Sequence, residues 1–198
     1  MEKLSVSERV LSDKEFALRQ QLTLAGIDLA LWGKGSARTI RHLATELLNR
    51  ESILTKEENG QLLREIRVVI VDVKYQDLHS GIEFHLYEDH QEFTDGRQRK
   101  RNLGGSLSEK LKPGDENILA NIKRACLEEL GITDIADDVV QLGSKKEEMR
   151  QSGGYPGLNT KYTLYSGVVT LETAQFKPEG YIEHQQDKKT YFRWVQSN

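Results

Sequence analysis

Residues 116–132, ENILANIKRACLEELGI, hold the densest arrangement of side chains that could do chemistry: Glu116, Arg124, the adjacent Glu128 and Glu129, and Gly131 followed by an apolar residue. On a helix, Glu128 falls one turn after Arg124, an ordinary neighbour distance. Carboxylates placed in this way suit one of two ends. One is a hard divalent cation, which prefers carboxylate oxygens. The other is the solvated face of an amphipathic helix, the commoner fate of such charges.

A helix must present these groups, and the sequence supplies one. Asp115, after Pro113-Gly114, reads as an N-cap, and Gly131 reads as the residue that ends the helix. At about 100° per residue, Leu119, Ile122, Cys126 and Leu130 share a narrow apolar stripe, and Asn121, Arg124, Glu128 and Glu129 lie away from it. Cys126 on that stripe reads as a small buried apolar residue rather than a nucleophile.

The spacing resembles the signature of the Nudix hydrolases, Gx5Ex7REUxEExGU with U a bulky apolar residue. On that frame the segment runs from Lys110 to Ile132. Glu116 matches the first Glu, Arg124 the Arg, Cys126 the apolar position, Glu128 and Glu129 the Glu pair, Gly131 the Gly and Ile132 the last apolar residue. The resemblance implies a Mg²⁺ (or Mn²⁺) ion held by Glu128 and Glu129, which also serve as catalytic carboxylates, with Glu116 and Arg124 fixing the geometry of loop and helix. Two positions depart from the pattern. Ala125 stands where the family has a Glu; three and four residues before Glu128 and Glu129, its side chain is expected between theirs. Lys110 stands at the family's Gly, whereas a typical Gly pair, Gly104-Gly105, lies earlier. In the family a backbone carbonyl of that pair is a further metal ligand.

Other candidates flank the box. Nudix hydrolases often take an extra carboxylate from outside it, a role the resemblance offers to Glu147 or Glu148 in SKKEEMR; a charged turn is the plainer reading of that stretch. The run RQRKR sets Arg97, Arg99, Lys100 and Arg101 just before the Gly pair, with Lys110 beyond it. It reads either as a solvated hairpin or as a clamp for phosphate oxygens. Strand alternation puts Arg97, Arg99 and Arg101 on one face and Lys100 on the other. Tyr155 in GGYPGLNT suits stacking on a base or half-buried packing. The five histidines show no metal-ligand spacing.

The remaining elements frame these groups. Residues 1–63 read as a helical N-terminal extension: an amphipathic stretch over 11–32, a second helix capped by Ser36, and a short third helix opened by TKEE from Thr55. From Ile66 the character changes. IRVVIVDVKY and IEFHLYE read as strands, Asp95-Gly96 as a turn, and VVQLG, KYTLYSGVVTL and TYFRWVQ as three strands after the box helix. The fold class expected is α+β, a Nudix-type mixed β-sheet with the box helix packed on it, with domains at 1–63 and 64–198. The apolar stripes of the N-terminal helices need cover, and a homodimer would supply it.

Composition narrows the function classes. A net charge of -3 gives no basic field for nucleic acid. The longest apolar stretch is too short to span a bilayer, so no membrane role is expected. One cysteine cannot form an internal disulfide, and the N-terminus lacks a signal peptide's apolar core, so a cytoplasmic setting is expected. Two functions follow from the resemblance. One is a Mg²⁺-dependent pyrophosphohydrolase of a nucleoside diphosphate linked to another moiety. The other is a catalytically inactive Nudix-fold module that binds a nucleotide or a protein.

Overall fold

The computed structural model describes residues 5–100 and 105–197, which form three helices and nine strands. Helix α1 spans Val6–Leu24 and α2 spans Ile40–Leu48. The strands are β1 Ile53–Lys56, β2 Leu62–Gln76, β3 Glu83–Phe93, β4 Gln98–Arg99 and β5 Leu107–Leu111, then, after α3 at Ile118–Leu130, β6 Val140–Gln151, β7 Asn159–Leu171, β8 Tyr181–His184 and β9 Lys188–Gln196. The sheet order is β6-β7-β2-β3-β9-β8, with β1 and β5 also paired to β2 and β4 to β3. This is the α+β architecture expected from the sequence. The chain divides into two compact units: Met1–Arg67 with Lys112–Gly114 and Lys146–Thr163, and Val68–Leu111 with Asp115–Lys145 and Leu164–Asn198. The first unit therefore adds to the N-terminal residues two later segments that a cut at residue 63 does not contain.

In the first unit, α1 opens on a capping box in which Ser5 Oγ accepts from Glu8 N at 3.2 Å and Glu8 Oε2 accepts from Ser5 N at 2.8 Å. It ends at Leu24, short of the stretch expected to Trp32. Helix α2 is capped by Thr39, which pairs with His42, and not by Ser36. The expected third helix is absent. Thr55 and Lys56 belong to β1, which pairs with β2 from Ile53↔Glu65 to Lys56↔Leu62. Asn59-Gly60 explains the difference: Glu57 N donates to Gln61 O at 2.8 Å, and Gly60 holds φ at 84°, so TKEENGQ closes a hairpin.

The stripes of α1 and α2 find their cover inside this unit. Leu18, Leu22, Ile40, Leu43 and Ala44 pack with Trp32, Leu62, Tyr155 and Leu158. Leu31 of the expected stripe stays exposed, as do Phe16 and Leu24 of α1. Tyr155 is 1% exposed, its ring 5.0 Å from that of Trp32, so it is a packing residue with no face free for a base. Burial first, and then the charge of Glu46, pushes its phenol up from the usual range.

The end of α2 is unusual. Glu51 N donates to Glu46 O and Arg50 N to Leu47 O, the two bonds of a Schellman cap. The residue in the left-handed position is Arg50, at φ 59°, the only non-glycine among the described residues with positive φ. Glycine is the usual occupant, because a Cβ there strains the backbone by roughly 1–2 kcal/mol.

In the second unit, α3 lies on a core that includes Val69, Val71 and Val73 of β2, Leu86 of β3, and Leu107 and Leu111 of β5. The loop before β5 is pinned to the sheet. Ser106 is fully buried; its Oγ accepts from Val73 N at 2.8 Å and donates to Leu86 O at 2.6 Å. Gly105 comes so close to β2 that a Cβ would stand 2.7 Å from Ile70 Cγ2. This glycine is required by backbone packing. Gly104 lies outside the described residues.

Candidate functional site

Helix α3 begins later than expected. Its N-cap is Asn117, whose side chain accepts from Ala120 N at 3.0 Å, and not Asp115. It ends as expected on Gly131, left-handed at φ 70°. Ile122, Cys126 and Leu130 are buried as the stripe requires, while Leu119 is only half-buried. The buried arc instead takes in Ala125, which is 0% exposed within the apolar core. A carboxylate at position 125 would start from inside that core. The geometry thus corrects the expectation that position 125 is simply an open gap between Glu128 and Glu129.

Freed from capping, Asp115 receives Arg124. Both terminal nitrogens of Arg124 lie 3.4 Å from Asp115 Oδ2, and Nη2 also donates to Glu109 Oε1 on β5 at 3.2 Å. Nε, buried and without a hydrogen bond, stands 4.0 Å from Glu128 Oε1. The arginine is a hub that ties β5 and the segment before α3 to the helix. Glu116, expected with Arg124 to fix the geometry of loop and helix, is exposed and makes no ion pair among the described residues. Glu109 was not singled out from the sequence; its distance from Arg124 along the chain left no local signal.

Glu128 is exposed and Glu129 half-buried, both in the last turn of α3, where no basic residue accompanies them. Carboxylates there face the negative end of the helix dipole. Burial, with Glu129 adding to it, pushes the Cys126 thiol up to about 12. Cys126 should therefore resist a disulfide reagent such as DTNB at pH 8 in the native protein and release one equivalent only on denaturation. Prompt native reaction would show that the helix does not hold it in the core.

The other candidates belong to other elements. Lys110 is half-buried on β5, where alternation sends it to the face opposite Glu109. Glu147 and Glu148 belong to the first unit and lie within β6, not in a turn. Glu147 pairs with Lys161 of β7 at 3.1 Å, and Glu148 pairs with Lys146 at 3.1 Å and Arg150 at 3.4 Å along its own strand face.

Arg97 and Arg99 lie on the hairpin between β3 and β4, at the turn expected for Asp95-Gly96. Arg97 and Arg99 share one face, their guanidinium carbons 5.2 and 5.4 Å from the centroid of Phe93. Arg97 also pairs with Asp95 at 2.7 Å, and Arg99 donates to the buried Gln91. Arg101 lies outside the described residues. Beside the same hairpin is a cavity of about 370 Å³ lined in part by Glu92, Phe93, Gly96, His184, Lys188 and Lys189.

Whether these residues fit a divalent cation depends on how the ion would arrive. Among the described residues no group of three His, Cys, Asp or Glu side chains is placed to hold a metal. The donor set is Glu128 and Glu129. That is too few for a dedicated protein cage, but it suits Mg²⁺, which is commonly bound through one or two carboxylates together with substrate phosphates. Among the described residues no helix is long and apolar enough to cross a membrane.

No protein-family model and no curated protein sequence matches this chain. Among the solved structures to which it is similar are an Ap4A hydrolase and two Nudix proteins. An Ap4A hydrolase from C. elegans, in a binary complex, shares 9% identity over 66% of this chain and 80% of its own, with a TM-score of 0.38. A MutT/nudix family protein from Enterococcus faecalis shares 12% identity over 98% of this chain and 57% of its own, with a TM-score of 0.46. The Nudix hydrolase RenU from M. smegmatis shares 12% identity over 72% and 78%, with a TM-score of 0.32.

Proposed function

We propose that the chain is a Nudix-type pyrophosphohydrolase acting in the cytoplasm on a nucleoside diphosphate linked to another moiety. The observation that carries this reading is the end of α3: two adjacent carboxylates, Glu128 and Glu129, in a last turn that itself contains no basic residue, closed by a left-handed glycine. A helix selected for stability alone would favour Lys or Arg there.

In this reading Glu128 and Glu129 hold Mg²⁺ or Mn²⁺ jointly with the phosphate oxygens of the substrate. The ion, when bound, neutralises charge on the phosphoryl group and acidifies a water. The task of Arg124 is to hold the acidic turn against β5 and Asp115. Arg97, Arg99, Arg101 and Lys110 are the proposed phosphate contacts, on the ground that Arg and Lys suit phosphate oxygens. Glu147 and Glu148 have no place in it, since both carboxylates are engaged along β6 and β7.

A second reading, a module that binds a nucleotide without hydrolysing it, is favoured by one observation: position 125 offers no carboxylate and lies within the core. One experiment separates the two. Turnover of nucleotide sugars, dinucleoside polyphosphates and nucleoside triphosphates is measured with Mg²⁺ and with Mn²⁺, for wild type and for Glu128→Gln with Glu129→Gln. The hydrolase reading expects a loss of about 10²-fold or more in the double variant. It also expects calorimetric Mn²⁺ binding to disappear while the fold becomes more stable by about 0.3–1 kcal/mol per charge removed. Nucleotide affinity without turnover in either protein would establish the binding module.

A further inference from the structure

The first unit contains a cavity of about 350 Å³ that the proposed hydrolase chemistry does not use. Leu18 of α1, Leu47 of α2, and Ile53 and Leu54 of β1 line it, together with polar residues that include Lys14 and Arg50. No Asp or Glu is among its described lining residues, and neither cation has an ion pair or side-chain hydrogen bond among the described residues. The volume lies in the range of small-molecule pockets, and the lining is mixed, apolar side chains facing polar and cationic ones, which suits a ligand with both characters.

A second, independent observation concerns Arg50 itself. It occupies the left-handed position of a Schellman cap, at φ 59°, where glycine would sit without strain. The cap does not need an arginine. Strain kept at a residue that lines a pocket points to a use for that residue.

We propose that this cavity binds a small amphipathic organic anion, its carboxylate or phosphate meeting Arg50 and Lys14 and its hydrocarbon body lying on Leu18, Leu47, Ile53 and Leu54. The two cations set the sign of the ligand. The leucines require a body more apolar than a free inorganic anion, which would leave the wall wet.

Two fluorescent probes of similar shape test this on the full chain: 1-anilinonaphthalene-8-sulfonate, which is anionic, and N-phenyl-1-naphthylamine, which is neutral. The wild type should bind the anionic probe saturably, with one equivalent per chain. Arg50→Gly should keep or raise the thermal midpoint, since glycine relieves the backbone. It should weaken the anionic probe about tenfold or more and leave the neutral probe unchanged. Lys14→Gln should act in the same direction. The proposal is overturned if the wild type shows no saturable site, if Arg50→Gly binds the anionic probe as tightly as wild type, or if it loses both probes equally.

Discussion

Ala125→Glu should lower the stability of the protein by roughly 3–5 kcal/mol and should not create a hydrolase. Ala125 is 0% exposed in a cluster formed by Val69, Ile122, Cys126, Leu130 and other apolar residues. A glutamate there brings extra methylenes into a filled space and a carboxyl group with no partner. Overpacking alone typically costs about 1–3 kcal/mol, and an unpartnered buried polar group adds a comparable amount. The carboxyl would take up a proton before it stayed charged in such a place. Urea denaturation of the variant, with a Mg²⁺-dependent turnover assay beside it, reads both effects. An unchanged midpoint together with new turnover would mean that the side chain escapes to the rim between Glu128 and Glu129. Position 125 would then be the missing carboxylate of the site after all.

The second large effect is expected far from that helix. Glu46→Gln should destabilise the protein by about 3–5 kcal/mol, because it leaves a buried arginine without its counter-charge. Glu46 is 4% exposed, and its carboxylate accepts from Arg38, from Arg64 Nη2 at 2.6 Å and from Ser52 Oγ at 3.4 Å. Arg64 is equally buried, with its guanidinium 5.0 Å from the centroid of Tyr155. The Arg38 side chain is half exposed, so water screens its share and Arg64 carries most of the effect. The double variant Glu46→Gln with Arg64→Met removes both charges and should recover part of the loss. If the single variant melts like wild type, water reaches this pair and the buried ion pair contributes little.

Features written within a few neighbouring residues were legible in the sequence. The α3 stripe of Ile122, Cys126 and Leu130, its stop at Gly131, the turn at Asp95-Gly96 and the apolar strand from Ile66 all rest on periodicity or on the backbone freedom of one residue. The shared face of Arg97 and Arg99 follows from the two-residue repeat of a strand. Where two local signals competed, the stronger decided. The capping pattern at Thr55 lost to Asn59-Gly60, because a left-handed glycine closes a hairpin and sequence alone does not say which partner strand awaits.

The tertiary structure decided what depends on distant residues. Arg124 meets Glu109, 15 positions away, a partner that no local signal marked. Helical periodicity locates the centre of a buried arc but not its width, so the depth of Ala125 was set by the strands beneath it. The charge of Glu46 reads as solvated on α2 and is buried only because Arg64, 18 positions on, arrives to neutralise it. Arg50 shows no sign of strain in the sequence, since a left-handed φ on a non-glycine residue exists only once the helix before it and the strand after it are both in place.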